Sequence, residues 1–179
     1  VPASAHITNG RSVRPAGDIT LAHATDAAAL SGALRKTEQK IGLALEYDDY
    51  VDHYTEQAQL GFFATLGAPD IFTVGVCASG LGICVHPIPG ADGSGLVQAT
   101  LGNMTAVVRV TVVRASHLTL TARQFPVVPG GISELYTLRP LGVTINNSTL
   151  YEESQLRANL ALTDGSNFDV TSNSNTVYQ

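Results

Sequence analysis

The sequence predicts an all-β chain, built as tandem β-sandwich domains of which the second is incomplete. Three observations predict it. Short runs rich in Val, Ile, Leu and Thr place apolar residues at every second position. Turn-forming residues separate these runs at short intervals, which describes packed sheets rather than alternating β and α units. Several short motifs also recur in the same order along the chain.

Taken in order, Ala5-His6-Ile7-Thr8 opens the first copy. The Ala-rich stretch from Asp26 to Leu34 predicts one short helix with Asp26 as its cap. Ile41, Leu43, Leu45 and Tyr47 alternate with other positions and run into an Asp48-Asp49 turn. Ile71-Phe72-Thr73-Val74 follows a Pro69-Asp70 turn, and Gly80-Leu81-Gly82, Pro89-Gly90 and Asp92-Gly93 mark further turns. Val107 to Val113 is a β-branched run with Val108, Val110 and Val112 on one face. Leu118, Leu120 and Ala122 start another strand, ahead of a Pro129-Gly130-Gly131 turn. Leu156, Ala158, Leu160 and Leu162 form a last alternating run before Asp164-Gly165.

The repeat sets the domain organisation. Ala5-His6-Ile7-Thr8 returns as Ser116-His117-Leu118-Thr119, and Leu43-Ala44-Leu45 returns as Leu160-Ala161-Leu162. Between them, the segment from Leu34 to Ile41 is echoed by the one from Leu150 to Leu156. Asp52 and Asp169 each follow the first Leu of their triplet by the same distance, and the second copy is longer by six residues between its anchors. A unit of about 110 residues is the size of an immunoglobulin-type sandwich. The expected domains are therefore 1–115, complete, and 116–179, which holds only the N-terminal part of a copy. The chain begins at Val1, which is expected for a processed or excised piece of a longer array.

Composition narrows the function classes. Ten Lys+Arg against fifteen Asp+Glu give a net charge of −5, and only 14% of residues are charged while 44% are hydrophobic. That balance buries a core, so a disordered acidic tail is excluded. No run of Lys and Arg exists to neutralise phosphates, so no nucleic-acid partner is expected. Ile71 to Ala91 carries no formal charge, but its Pro87, Pro89, His86 and four Gly rule out a continuous spanning helix.

The turn Leu162-Thr163-Asp164-Gly165-Ser166-Asn167-Phe168-Asp169-Val170-Thr171 and the closing run Gly95 to Asn103, followed by Ala106 to Val112, carry a resemblance. The chain is similar to tandem bacterial-Ig-like domains of group 2, the invasin/intimin type. Those domains use a D-G-[ST]…D-V-T turn and end in a G-x-a-x-[IV]-x-A…V-x-V-x-V run. The first copy departs from the turn, reading Tyr47-Asp48-Asp49-Tyr50-Val51-Asp52 without Gly, and its Cys77 to Pro89 segment elaborates the basic motif. The resemblance implies a non-catalytic module of extended cell-surface arrays that carry adhesive tips or bind partners themselves. Related domains occur in eukaryotic surface and lumenal proteins.

Cys77 and Cys84 are the only cysteines, each flanked by β-type residues with a Gly-rich turn between them. The spacing suits a disulfide across a hairpin, with two buried thiols as the alternative; it is not a zinc pattern. Asn103, Asn146 and Asn147 each head an N-x-[ST] sequon, acceptors of N-linked glycans only in a secretory pathway. The even cysteine count and the sequons point to an extracellular or cell-surface location, with the lumen as second choice.

No catalytic residue and no cofactor is expected. His6, His23, His53, His86 and His117 are scattered, and the equivalence of His6 and His117 suggests a structural role at a domain start. No G-x-S-x-G, H-E-x-x-H or G-K-[ST] occurs, and Gly90 to Gly95 reads as a flexible turn rather than a phosphate cradle. Among the acidic residues Glu46, Asp48, Asp49, Asp52 and Glu56, the group Asp48, Asp49 and Asp52 is a weak Ca²⁺ candidate, with a solvated turn preferred. Tyr47, Tyr50 and Tyr54 suit either an adhesive surface or the core.

These readings make the chain a structural and adhesive module whose partners are other protein chains, by self-association or through a surface receptor. Two alternatives stand beside it: a subunit of a polymeric extracellular filament, and an accessory binding module of a secreted enzyme. The absence of Trp and the low aromatic content, 6%, weigh against carbohydrate binding by the last of these.

Overall fold

A computed structural model describes residues 3–10, 14–34, 36–53, 62–125, 138, 140–145 and 148–177. The chain is almost entirely β and divides into two compact units, Val1–Arg114 and Ala115–Gln179.

Unit 1 begins with β1 (Ser4–Thr8) and β2 (Ile19–Leu21). The helix α1 (Ala27–Leu30) follows, much shorter than the Ala-rich stretch suggested. Asp26 caps it as expected, its Oδ1 accepting the Ala28 N–H at 2.8 Å. The Leu34 N–H turns back to the Ala28 carbonyl, and Gly32, at a φ of 70°, closes the turn. Then come β3 (Gln39–Glu46), β4 (Val51–His53), β5 (Phe63–Leu66), β6 (Phe72–Val76), β7 (Ile83–Pro87), β8 (Gly93–Leu101) and β9 (Met104–Val112).

Two sheets result. One has the order β1-β3-β7-β6, with β4 added to β3; the other has the order β2-β9-β8-β5. All pairs are antiparallel except β2 with β9, which run parallel. The sheets pack face to face around one core, to which Ile7, Ile41, Leu43, Phe72 and Val85 contribute from the first sheet and Leu21, Phe63, Val97, Val108 and Val110 from the second.

The period-two reading holds well for β9, where Val108, Val110 and Val112 are buried while Val107 is exposed. It fails for β3. Every residue from Ile41 to Leu45 is buried, because the alternate positions are Gly42 and Ala44, small enough to be covered on the second face as well. Tyr47 is not part of that strand and lies in the following turn.

Unit 2 contains β10 (Ala115–Phe125), β11 (Pro140–Ile145), β12 (Ser148–Tyr151), β13 (Glu153–Leu162) and β14 (Asn167–Asp169). One sheet has the order β10-β13-β14, and β11 pairs with β12 in a separate hairpin. The opening strands repeat the register of unit 1. His6 lies opposite Ala44 and Ile7 opposite Leu43 in β1–β3; His117 lies opposite Ala161 and Leu118 opposite Leu160 in β10–β13. Farther on the copies diverge: Asp52 faces Leu45, whereas Asp169 faces Asn159 and not Leu162. The reason is the turn. In unit 2 the Leu162 amide already donates to the Ser166 carbonyl across Asp164-Gly165, which starts the return strand earlier than the Tyr47–Tyr50 turn does.

Candidate functional site

The most elaborated part of unit 1 is the β6–β7 hairpin and what braces it. Val76 and Ile83 form the last pair of the ladder, after which the Cys77 amide donates to the Gly82 carbonyl and the Gly80 amide to the Cys77 carbonyl. Gly80 and Gly82 have φ values of 78° and 85°, so the loop between the cysteines depends on residues that tolerate left-handed backbone. Cys77 and Cys84 are joined in a disulfide with Cα atoms 4.8 Å apart, and both are buried.

Side chains outside the hairpin complete the arrangement. The Glu38 carboxylate accepts the Ala78 N–H at 3.2 Å and lies 3.6 Å from His86 Nδ1. The other ring nitrogen of His86 is 3.1 Å from the Val76 carbonyl. The aliphatic stem of Lys40 lies across Gly10 and Gly82, so closely that a Cβ at either glycine would sit 2.6 or 2.5 Å from it. A surface depression of about 510 Å³ opens there, lined by Asn9, Lys36, Glu38, Lys40, Ser79 and the disulfide. Sequence reading found the cysteines but not Glu38 or His86. Their sequence separation hides the pair, and only the β3–β7 and β6–β7 pairings bring them together.

The glycine-rich run Gly90 to Gly95 is not a flexible turn throughout. Gly93-Ser94-Gly95 opens β8, and both glycines answer close packing: a Cβ at Gly93 would meet Ile71 at 2.9 Å, and one at Gly95 would meet Ala68 at 2.2 Å.

The acidic group sits at the β3–β4 turn. Asp48 and Asp49 are exposed at its tip, and Asp52 stands in β4 opposite Leu45. Glu56 and Tyr54 lie outside the described residues. No group of three or more His, Cys, Asp or Glu among the described residues is arranged to hold a metal. At the same turn the Tyr47 and Tyr50 rings stack 4.4 Å apart at 9°, and the Tyr47 amide donates to the Tyr50 carbonyl. Tyr50 is 56% exposed.

Asn103 occupies the tip of the β8–β9 hairpin, where Leu101 pairs with Met104 and Gly102-Asn103 form the two-residue loop. It is exposed, and Gly102 supplies the positive φ that such a loop requires. Asn146 and Asn147 lie outside the described residues. Elsewhere, His23 Nδ1 lies 2.8 Å from the Thr25 hydroxyl and His117 Nδ1 3.3 Å from the Ser116 hydroxyl.

In unit 2 the Asp-Gly-Ser turn shows why those residue types recur. Asp164 Oδ1 accepts from both the amide and the hydroxyl of Ser166, and Gly165 has a φ of 85°. Asp169 Oδ1 accepts the Thr171 amide at 2.9 Å, while the Thr171 hydroxyl takes the Ala158 N–H at 3.0 Å. The Ser166 hydroxyl, then its amide, hold the Asp164 carboxyl below its ordinary value; the Thr171 hydroxyl and amide do the same for Asp169. A lowered folded-state value means the contribution is complete above the ordinary carboxyl range and is lost as pH falls through the folded value. Unit 2 should therefore lose stability below about pH 4, and Asp164→Asn should make its unfolding less sensitive to acid, as a pH series of circular-dichroism melts would show.

Among the described residues, no helix is long and apolar enough to cross a membrane. No family model matches the chain, and comparison with curated proteins gives no match.

Proposed function

We propose that this chain is a non-catalytic extracellular module, two immunoglobulin-like units in series, that joins or spaces other protein chains at a cell surface. The observation that carries the reading is the repeated register of the opening strands, His6 opposite Ala44 and His117 opposite Ala161. A fold duplicated along one chain is the construction of arrays, in which each unit adds length or contact area.

The strand order supports the immunoglobulin-like part of the reading. In constant-type immunoglobulin sandwiches the first, second, fifth and fourth strands form one sheet, and the third, sixth and seventh the other. With β4 counted as an addition to β3 and β2 as a short segment crossing to the second sheet, β1-β3-β7-β6 and β5-β8-β9 have that order. The disulfide supports an oxidising compartment, since such bonds persist outside the cytosol. The exposed sequon at Asn103 adds to it: a glycan on the hairpin tip would project from the sandwich without touching its core.

The reading is tested on intact source cells. An antibody raised against residues 1–179 should stain them without permeabilisation, and the stained protein should lose mass on N-glycosidase treatment, by less when Asn103 is changed to Gln. Staining confined to the cytosol of permeabilised cells would end the proposal.

A further inference from the structure

The chain enters unit 1 at one end of β3 and leaves it at the other. The Ala3 amide donates to the Glu46 carbonyl at 2.7 Å and Ser4 lies opposite Glu46, so β1 starts beside the last residue of β3. Past β9, the Val113 amide donates to the Leu21 carbonyl at 2.9 Å, and the neighbouring Ala22 amide donates to the Lys36 carbonyl at 3.0 Å. Lys36 stands just ahead of Gln39, where β3 begins. Entry and exit are therefore separated by the eight residues of β3, about 25 Å of strand.

Strands whose ends leave by opposite poles are loaded along their length. β1 holds β3 through antiparallel pairs from Ser4–Glu46 to Thr8–Gly42, and β2 holds β9 through parallel pairs from Ile19–Val110 to Leu21–Val112. Ladder hydrogen bonds run across the strands. A pull that draws β1 out past Glu46 and β9 out past Val113 acts across those bonds, so the pairs of each ladder must give way together. A hairpin pulled open from its free end instead loses its pairs one after another. Both loaded ladders are backed by the core, since Ile7, Ile19, Leu21, Val110 and Val112 are buried. The exit is also tied by a side chain. The Arg114 guanidinium donates to the Gly90 carbonyl at 2.7 Å and lies 3.8 Å from the carboxylates of Asp26 and Asp92.

We propose that unit 1 bears tension: a pull along the chain passes from β1 through the sandwich to β9, with the β1–β3 and β2–β9 ladders sheared rather than peeled. This deepens the module reading above and rests on it, since an element that joins other chains at a cell surface is pulled by what it joins. β7, β6 and the disulfide lie on the far side of β3 from β1, outside this path.

Single-molecule force spectroscopy on the 179-residue chain, held at its two ends, tests the proposal. Reductant identifies unit 1, the only unit with cysteines: freeing the Cys77–Cys84 ring should lengthen its unfolding step by about 2 nm. The force of that step should not change, because the hairpin is off the path. The same chain can be held instead through azide-bearing side chains placed at Ala91 and Ala115, beside the Gly93–Val112 pair at the open end of the β8–β9 hairpin. Unit 1 should then open at about half the force or less, its pairs breaking singly. Val113→Pro removes the amide that the Leu21 carbonyl accepts and should lower the end-to-end force by about a third, with an unchanged circular-dichroism spectrum. A unit 1 that needs no more force end to end than when peeled overturns the proposal. So does a folded Val113→Pro chain that unfolds at an unaltered force, or a force that falls on reduction. Surface staining of intact cells is independent of these readings, so tension bearing and the module reading fail separately.

Discussion

Replacing Phe72 with Ala should destabilise unit 1 by about 3–5 kcal/mol, the range for removing a fully buried aromatic ring from a packed core. The ring is completely buried in β6 and lies between the two sheets. Its contact with β8 is unusually close, since a Cβ at Gly95 would stand 2.9 Å from Phe72 Cε1 and 2.2 Å from the Ala68 Cβ. Glycine at 95 lets the β8 backbone approach the ring. The converse change, Gly95→Val, should therefore cost about 1–3 kcal/mol or more by overpacking, although it adds apolar surface. Chemical denaturation followed by circular dichroism would measure both. Combining Phe72→Ala with Gly95→Ala gives the sharper test. Shortening Phe72 relieves the contacts with its ring but leaves the closer one with Ala68, so the double variant should recover only part of the Gly95→Ala loss and fall somewhat short of the sum of the two single losses.

That glycine also shows how much was legible in the sequence. Gly95 lies in the run that opens β8, and the Val108, Val110 and Val112 alternation that follows is visible because β9 buries one face and exposes the other. The recurring motifs fall in one register, Ile7 opposite Leu43 in β1–β3 and Leu118 opposite Leu160 in β10–β13. Where both faces of a strand are covered, as in β3, no alternation is left to see. Nor could the sequence separate a cysteine pair from two thiols, since that depends on bringing β6 beside β7. The Glu38–His86 contact was hidden altogether, because it is a product of which strands become neighbours. The apolar pattern of β10 looked like that of any buried strand, and only the structure shows Leu118 and Leu120 open to solvent.

Breaking the Cys77–Cys84 bond should cost unit 1 about 2–3 kcal/mol, the loop-closure entropy of a short ring. For a domain of this size that corresponds to a melting temperature lower by on the order of 10 °C. The bond closes the end of the β6–β7 hairpin, and β7 also pairs with β3, so freeing the loop lets the inner sheet open from that end. The cysteines are the only two in the chain, and unit 2 has none. Reductant should therefore move the unfolding of unit 1 and leave that of unit 2 where it was, which makes the second unit an internal control in the same calorimetric scan. Ala at both positions isolates the loss of the cross-link. Ser at Cys84, 1% exposed beside the core, adds a hydroxyl taken out of water and should cost about 1 kcal/mol more. Equal shifts of both transitions on reduction would show that the bond holds more than its own hairpin.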